Sequence, residues 1–211
     1  MSENKIILVI NGLLPPRDYL SEFLKKYDQI ICADGAANSV IALGIIPTHI
    51  IGDMDSFNKH SYADIENEIE IIFLPNQKLN DFHKSLMWLC NNDVHKVDII
   101  GLEGRRLDHA IGNFHILFDF LDSLDITVYT LEGTLYTINK ERVFKGCLHK
   151  NVSIFAHDSN TSICSEGLQY ELHDYKIDNF YSATLNVAIK DTIKIQSNES
   201  NLLIFITNSN A

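Results

Sequence analysis

Short apolar runs alternate with segments of helical spacing along the chain as far as about Thr130. The runs predict strands at Ile6–Ile10, Gln29–Ala33, His49–Ile51, Ile69–Leu74, Val97–Ile100 and Ile126–Leu131. The spacing between them predicts helices at Tyr19–Tyr27, Ala36–Leu43, Lys59–Asn67, Asp81–Cys90 and Asp108–Leu121. Continuous apolar strands that alternate with helices indicate a parallel α/β sheet covered on both faces.

The pattern changes after Thr130, where no long helical segment is evident and turn-like residues separate short strands. These strands are predicted at Tyr136–Ile138, Val143–Phe144, Asn151–Ala156, Thr161–Cys164, Thr184–Ile189, Thr192–Gln196 and Leu202–Thr207. A compact all-β domain is the economical interpretation. We therefore predict an α/β domain over residues 1–132 and an all-β domain over residues 133–211.

Composition argues against a nucleic-acid-binding, membrane-spanning or secreted protein. A formal net charge of −11 on 211 residues argues against a nucleic-acid partner, because such proteins usually present a basic surface. No segment approaches the roughly 18 apolar residues of a membrane span, and Ile6–Ile10 is too short for a signal sequence. The four cysteines form no CxxC pair, which favours reduced thiols in a cytoplasmic protein.

Ligands of an open parallel sheet collect at the carboxyl ends of its strands. The first loop at such an end is ADGAAN at residues 33–38. Its small residues allow close approach of a ligand, Gly35 can take a positive φ, and the helix that follows favours an anion. Asp34 could equally be a helix cap.

The second such loop is GDMDS at residues 52–56, in which Asp53 and Asp55 stand beside the hydroxyl of Ser56. Carboxylate oxygens are the ligands that Mg²⁺ prefers, and a cation would relieve the repulsion between the two acids. The alternative is a polar turn that Asp and Ser side chains cap locally.

Two further loops combine acids with bases. In the segment 74–84, Asn80 is a predicted N-cap, and Asp81 and Lys84 share one side of the first helical turn. In GLEGRRLDH at 101–109, Arg106 suits phosphate binding, whereas Asp108 and His109 could cap or pack. An i, i+3 surface ion pair is the competing interpretation of Asp81 and Lys84.

The joint placement of these loops predicts a site for magnesium and phosphate. Chance capping explains one or two acids at strand ends more easily than four at one edge of a sheet. The chain contains neither a GxxxxGK[ST] nor a GxGxxG sequence, so neither a P-loop nor a dinucleotide fingerprint is expected.

The ordered series ADGAAN (33–38), GDMDS (52–56), NDFHKSL (80–86) and GLEGRRLDHAIGN (101–113) resembles the thiamine pyrophosphokinase family. A weaker similarity continues at GLQYELHDYKI (167–177). The resemblance implies a Rossmann-like parallel-sheet domain followed by a sandwich-like all-β domain, assembled as a homodimer. It also implies an enzyme that transfers the pyrophosphate of ATP to the hydroxyl of thiamine, giving AMP and thiamine diphosphate.

The resemblance also implies roles for individual residues. Asp53, Asp55, Asp81 and Asp108 match the acidic positions around Mg²⁺ and the triphosphate, with Arg106 and Lys84 as the basic partners in catalysis. The positions expected to bind nucleotide or thiamine are Asp34, Gly35, Asn38, Ser56, Gln77, His109, Asn113 and Asn186. Gln77 and Asn186 match the thiamine side, the latter from the partner subunit.

The chain departs from the family pattern at three places. The segment 76–80 lacks two family carboxylates and carries Lys78, Arg105 replaces a usual glycine, and Leu185 replaces a serine. Two alternatives therefore stay open: a diphosphotransferase for another alcohol, or a non-catalytic protein that binds thiamine or nucleotide.

Overall fold

The computed structural model describes residues 4–58, 65, 68–104, 106–198 and 202–210. Contacts between residues divide the chain into two compact units, Met1–Ile116 and Leu117–Ala211. The helix predicted at Lys59–Asn67 lies outside the described residues apart from Ile65, and Arg105 also lies outside them. The described residues include no helix that is long and apolar enough to cross a membrane.

The first unit is built on a parallel sheet. Its strands are β1 (Ile6–Val9), β2 (Gln29–Ala33), β3 (His49–Gly52), β4 (Glu70–Phe73) and β5 (Lys96–Ile100), in the order β5-β1-β2-β3-β4. The pairs β1–β2, β1–β5, β2–β3 and β3–β4 are all parallel. Its helices are α1 (Arg17–Leu24), α2 (Ala36–Ile41), α3 (Asp81–Asn91) and α4 (Leu107–Phe118), the last of which crosses the division between the units.

The central strands of this sheet are buried on both faces. Ile7, Leu8 and Val9 of β1 are fully buried, as are Ile31 and Cys32 of β2. A strand without a polar face must be covered on both sides, as the apolar runs of the sequence predicted. The polar residues that follow each strand are left at the carboxyl edge of the sheet.

The second unit is all β. One antiparallel sheet has the order β12 (Ala183–Val187), β9 (Lys150–Ala156), β14 (Leu202–Asn210), β7 (Gly133–Ile138) and β6 (Asp125–Tyr129). The other has the order β11 (Tyr175–Lys176), β10 (Ser162–Glu166), β13 (Ile193–Ser197) and β8 (Glu141–Phe144). Both contribute to one buried cluster, in which Ile154 and Ile204 come from the first sheet and Ile163 and Ile195 from the second. The predicted fold class, parallel α/β followed by sandwich-like all β, is confirmed.

The largest boundary errors are three residues and occur at helix and strand ends alike: β7 begins at Gly133 where Tyr136 was predicted, and β14 continues to Asn210, beyond the predicted Thr207. Helix α4 ends at Phe118, three residues before its predicted end, because the backbone then makes tight turns such as Phe120 N–H to the Leu117 carbonyl (3.2 Å). Strand β11 was not predicted, since both of its residues are exposed and carry no apolar alternation. The functional division at residues 132 and 133 stays a prediction, because the contact division after Ile116 concerns compactness alone.

Candidate active site

Three aspartates meet at the carboxyl edge of the parallel sheet. Asp34 follows β2, Asp53 follows β3, and Asp81 opens α3 after β4. One carboxylate oxygen of each lies within 4.8 Å of those of the other two. Asp53 and Asp81 belong to the predicted metal set, whereas Asp34 was predicted only as a ligand-binding residue.

Lys84 joins two of these acids. Its Nζ lies 3.1 Å from Asp53 Oδ2 and 2.9 Å from Asp81 Oδ1, and its side chain is only 3 % exposed. Burial opposes the charge of Lys84, but the hydrogen bonds that its ammonium group donates to Asp81 and Asp53 outweigh this effect, so the pKa of Lys84 is raised. The predicted i, i+3 pair of Asp81 and Lys84 is therefore present, although it is a buried pair and not a surface pair.

The helix that carries this pair begins as predicted. Asn80 is the N-cap of α3, because its Oδ1 accepts a hydrogen bond from the His83 backbone N–H at 2.9 Å. The Nδ2 group of Asn80 also donates to Oδ1 of Asn113 at 3.0 Å, which links α3 to α4. Asn113 is buried, so its role in the site includes holding this cap in place.

Asp53 receives a second side-chain donor. Gln77 Nε2 donates to Asp53 Oδ2 at 2.8 Å, the oxygen that also faces Lys84. Burial would raise the pKa of Asp53, but hydrogen bonds from Lys84, the Asp55 backbone and Gln77 outweigh it and lower that pKa. Asp53 is thus held as a carboxylate.

Gly52 lets the acids approach the sheet. A Cβ built on this residue would lie 2.8 Å from Asp34 Cβ and 3.0 Å from Asp81 Oδ1, closer than side-chain carbons normally come. The absence of a side chain at residue 52 is therefore required for the three carboxylates to meet above β3.

The substitution Gly52→Ala is expected to lower stability by about 1–3 kcal/mol and activity by about 100-fold, because it displaces two acids of the site. Thermal unfolding and initial rates measure the two effects. Gly44→Ala is the matched control: Gly44 also has a positive φ (77°), but a Cβ there would meet nothing within 4 Å. Equal losses of activity in the two variants would contradict the steric explanation.

The ADGAAN loop differs locally from its prediction. Gly35 has a φ of −58°, and the positive φ, 37°, belongs to Asp34. A Cβ on Gly35 would instead lie 2.9 Å from both Asn11 Nδ2 and Ser56 Cβ. The residue is thus needed for space and not for an unusual backbone angle.

Burial raises the pKa of the Asp34 carboxyl to about 6, although hydrogen bonds from the backbone at Ser56 oppose this shift. Since the unfolded carboxyl titrates near 3.8, the folded state binds the extra proton, and Asp34 favours folding at low pH. In metal-free protein this contribution is expected to fall by at most about 1.4 kcal/mol per unit as the pH rises from 4 towards 6. Unfolding free energies of the native chain and Asp34→Asn, compared across this range, test it, and a difference that does not change with pH would contradict it.

A cleft of about 530 Å³ opens beside the acids. Among the predicted residues it is lined by Asp34, Gly35, Asp53, Asp55, Ser56, Gln77, Asp81, Lys84, Arg106, His109 and Asn113. Sequence reasoning missed Asn11 and Gly12, which follow β1 and also line it. An Asn-Gly pair directly after the apolar run of β1 was the signal that could have identified them.

The remaining predicted residues of the first unit lie outside the acidic cluster. Arg106 and Asp108 form a two-point ion pair (3.1 and 2.6 Å) with side chains 70 % and 61 % exposed, so the pair faces solvent. Asp55 Oδ1 accepts a hydrogen bond from Ser56 Oγ at 2.8 Å. Neither Asp55 nor Asp108 belongs to the group of carboxylates within 4.8 Å, and their metal roles stay predictions.

Asn186 lies in the second unit and is buried. Its Oδ1 accepts a hydrogen bond from Tyr170 N–H (3.1 Å) and its Nδ2 donates to the Tyr170 carbonyl (2.7 Å). It follows Leu185, which is 78 % exposed and has a φ of 59°. The described contacts of Asn186 therefore hold the loop at Tyr170, and its role towards thiamine stays a prediction.

The fold and the site define an α/β enzyme whose cleft is lined by carboxylates, amides and a buried lysine. The family model for the catalytic domain of thiamin pyrophosphokinase matches residues 20–130, and the model for its substrate-binding domain matches residues 133–205. The chain therefore belongs to the thiamin pyrophosphokinase family. It is an enzyme of the transferase class with thiamine diphosphokinase activity, as the resemblance of its motifs implied.

Individual relatives agree with this assignment. The chain is 26 % identical over 199 residues to thiamine pyrophosphokinase 1 of Oryza sativa subsp. japonica, covering 79 % of this chain and 74 % of that protein. The crystal structure of thiamine pyrophosphokinase from Bacillus subtilis has a TM-score of 0.79 at 19 % identity, covering 98 % and 100 % of the two chains. The structure of thiamin pyrophosphokinase from Candida albicans has a TM-score of 0.78 at 17 % identity, covering 97 % and 89 %. The two structures support the fold.

Proposed function

We propose that the cleft of the first unit binds the triphosphate of ATP together with Mg²⁺, and that thiamine accepts the pyrophosphoryl group. The observation that carries the proposal is the cluster of Asp34, Asp53 and Asp81 beside a cleft of about 530 Å³, with Lys84 buried between two of the acids. The products are AMP and thiamine diphosphate.

The donor set fits Mg²⁺ in its chemistry. Oxygens bound to one Mg²⁺ lie at most about 4.2 Å apart, twice the usual bond length, so carboxylates within 4.8 Å require only a small adjustment. Asp53 and Asp81 would hold the ion, with Asp55 and Asp108 as further predicted ligands. When bound, Mg²⁺ supplies positive charge to phosphate oxygens.

The side chains of the cleft have separate tasks in this proposal. Lys84 orients Asp53 and Asp81 and reduces their mutual repulsion. Arg106 is exposed and held by a solvent-facing ion pair, so it can exchange Asp108 for a phosphate group without disrupting buried contacts. Lys78 is exposed, lines the same cleft and adds a second positive charge. Positioning and charge neutralisation are the main requirements of phosphoryl-type transfer.

The transfer itself is an in-line displacement. The hydroxyl oxygen of thiamine forms a bond to the β-phosphorus of ATP, and the bond from that phosphorus to the oxygen shared with the α-phosphorus breaks. AMP leaves with that oxygen, and the hydroxyl proton passes to a carboxylate of the cleft. The positively charged side chains of Arg106 and Lys78, which line the cleft, neutralise the charge that develops on the leaving oxygen.

Incubation of the full chain with ATP, Mg²⁺ and thiamine tests the proposal. AMP and thiamine diphosphate in equal amounts are expected, and removal of the metal by a chelator should stop their formation. Free pyrophosphate or phosphate in place of thiamine diphosphate would contradict the proposal, as would transfer to another alcohol in preference to thiamine.

The location and the assembly of the protein are part of the same proposal. The chain is proposed to act in the cytoplasm as a homodimer, in which the partner subunit supplies the segment around its Asn186 to thiamine. Sedimentation of the full chain at micromolar concentration tests the assembly, and a monomer that retains full activity would contradict it.

A further inference from the structure

Two side chains of the ADGAAN loop are bonded to the neighbouring acidic loop. Asp34 Oδ2 accepts a hydrogen bond from Ser56 N–H, and Asp34 Oδ1 accepts one from Phe57 N–H, both at 3.0 Å. Asn38 Nδ2 donates to the Ser56 carbonyl at 2.9 Å, and Asn38 Oδ1 accepts from Asn58 N–H at 3.0 Å. Three consecutive backbone N–H groups, at residues 56–58, are thus bound by two side chains of the ADGAAN motif, Asp34 from the turn after β2 and Asn38 from α2.

We infer that Asp34 and Asn38 are positioning residues that brace the segment 53–58, and that Asn38 acts on the site through this segment without touching a ligand. The segment carries Asp53 and Asp55 but belongs to no helix or strand. Its backbone therefore lacks the regular hydrogen bonds that would define its shape, and side chains supply them.

The location of Asn38 favours a positioning role over a direct contact with nucleotide. The residues that line the cleft include Ala33, Asp34 and Gly35, but not Asn38, although all belong to the described part of the chain. The amide of Asn38 is bonded to backbone groups of the segment at both of its ends, which fixes its orientation. One N–H and one lone pair remain, so its position outside the cleft lining is what argues against the direct nucleotide contact predicted from the sequence.

The packing of the segment 53–58 connects these hydrogen bonds to the acidic cluster. Phe57 is buried, with 8 % of its surface exposed, and it anchors the carboxyl-terminal side of the segment in the protein. Gly52 at the end of β3 anchors the other side. Between these anchors, Asp53 faces Lys84 and Gln77, so a shift of the backbone at residues 56–58 would be transmitted over a few bonds to the acidic cluster.

The variant Asn38→Ala tests the inference, since alanine suits the interior of α2 and removes both bonds. In metal-free protein, hydrogen exchange of the amides at 56–58 is expected to accelerate about tenfold, which corresponds to about 1.4 kcal/mol. Ser39→Ala on the same helix is the matched control. Unchanged exchange at residues 56–58 would overturn the inference.

The functional consequence rests on the proposed function. The dissociation constant for Mn²⁺, measured by electron paramagnetic resonance on the metal-free chain, is expected to rise about fivefold to tenfold in Asn38→Ala. KM for ATP at saturating metal should change less than twofold.

Two results distinguish a failure of the inference about Asn38 from a failure of the proposed function. A higher KM for ATP in Asn38→Ala, with amide exchange and Mn²⁺ affinity unchanged, would show that Asn38 contacts nucleotide and would overturn the inference. An inactive native chain would contradict the proposed function alone, because the exchange measurement reports the brace without substrate or metal.

Discussion

Replacement of Asp81 by asparagine is expected to reduce the rate of thiamine diphosphate formation about a thousandfold while the protein stays folded. Asn has almost the same shape and still offers one oxygen to Lys84, so the hydrogen bond of 2.9 Å can persist. It lacks the charge that Mg²⁺ and the triphosphate require, and a missing electrostatic partner of a transition state costs about 10²–10³-fold in rate. Initial rates and thermal unfolding of the native and variant chains measure the two parts.

The same measurements on other aspartates distinguish the predicted ligands. Asp108→Asn should be much milder if the exposed pair with Arg106 is only a surface contact, and equally severe if Asp108 binds the metal. Asp119→Asn is the matched control, because this residue is exposed and lies outside the cleft. A loss of less than tenfold in Asp81→Asn would contradict the metal assignment.

Replacement of Lys84 by methionine is expected to destabilise the metal-free chain by about 3 kcal/mol. Methionine has a similar volume, but it leaves Asp53 and Asp81 without the ammonium group that neutralises them, and an uncompensated buried charge is costly. The raised pKa of Lys84 means that its contribution is fully present at neutral pH and is lost only as the pH rises through that value. Urea unfolding at pH 7 in the presence of a chelator measures the loss.

Two comparisons make this result specific. Lys194→Met removes the pair with Glu141, whose side chains are 34 % and 46 % exposed, and should change stability by less than about 1 kcal/mol. Mg²⁺ should restore part of the stability of Lys84→Met, because the ion replaces the missing positive charge between the acids. Equal effects of the two lysine substitutions would contradict a buried ionic role for Lys84.

Part of the acidic cluster follows from the positions of the strand ends. Asp53 and Asp81 were correctly predicted to lie close together, since parallel strands end at the same edge of their sheet. Asp34 was predicted at the same edge of the sheet, but as a nucleotide-binding residue and not as a metal ligand, because the sequence does not show that Gly52 allows its carboxylate to approach Asp81. Distances of this size depend on backbone geometry at single residues.

The sequence by itself determined the fold class, the family and the activity. The spacing of apolar residues indicates strands and helices locally, and the order of the motifs along the chain identifies the family without coordinates. The N-cap at Asn80 and the pairing of Asp81 with Lys84 were likewise local, since they depend on spacing within one helical turn.

Only the tertiary structure decided which polar groups are neighbours. It buried Lys84 between Asp53 and Asp81, left the pair of Arg106 with Asp108 in solvent, and turned Asn38 towards the segment 53–58. The physical reason is that burial and hydrogen bonding between distant segments depend on how strands are ordered in the sheet. That order is a property of the whole chain, and residue types and their spacing do not reveal it.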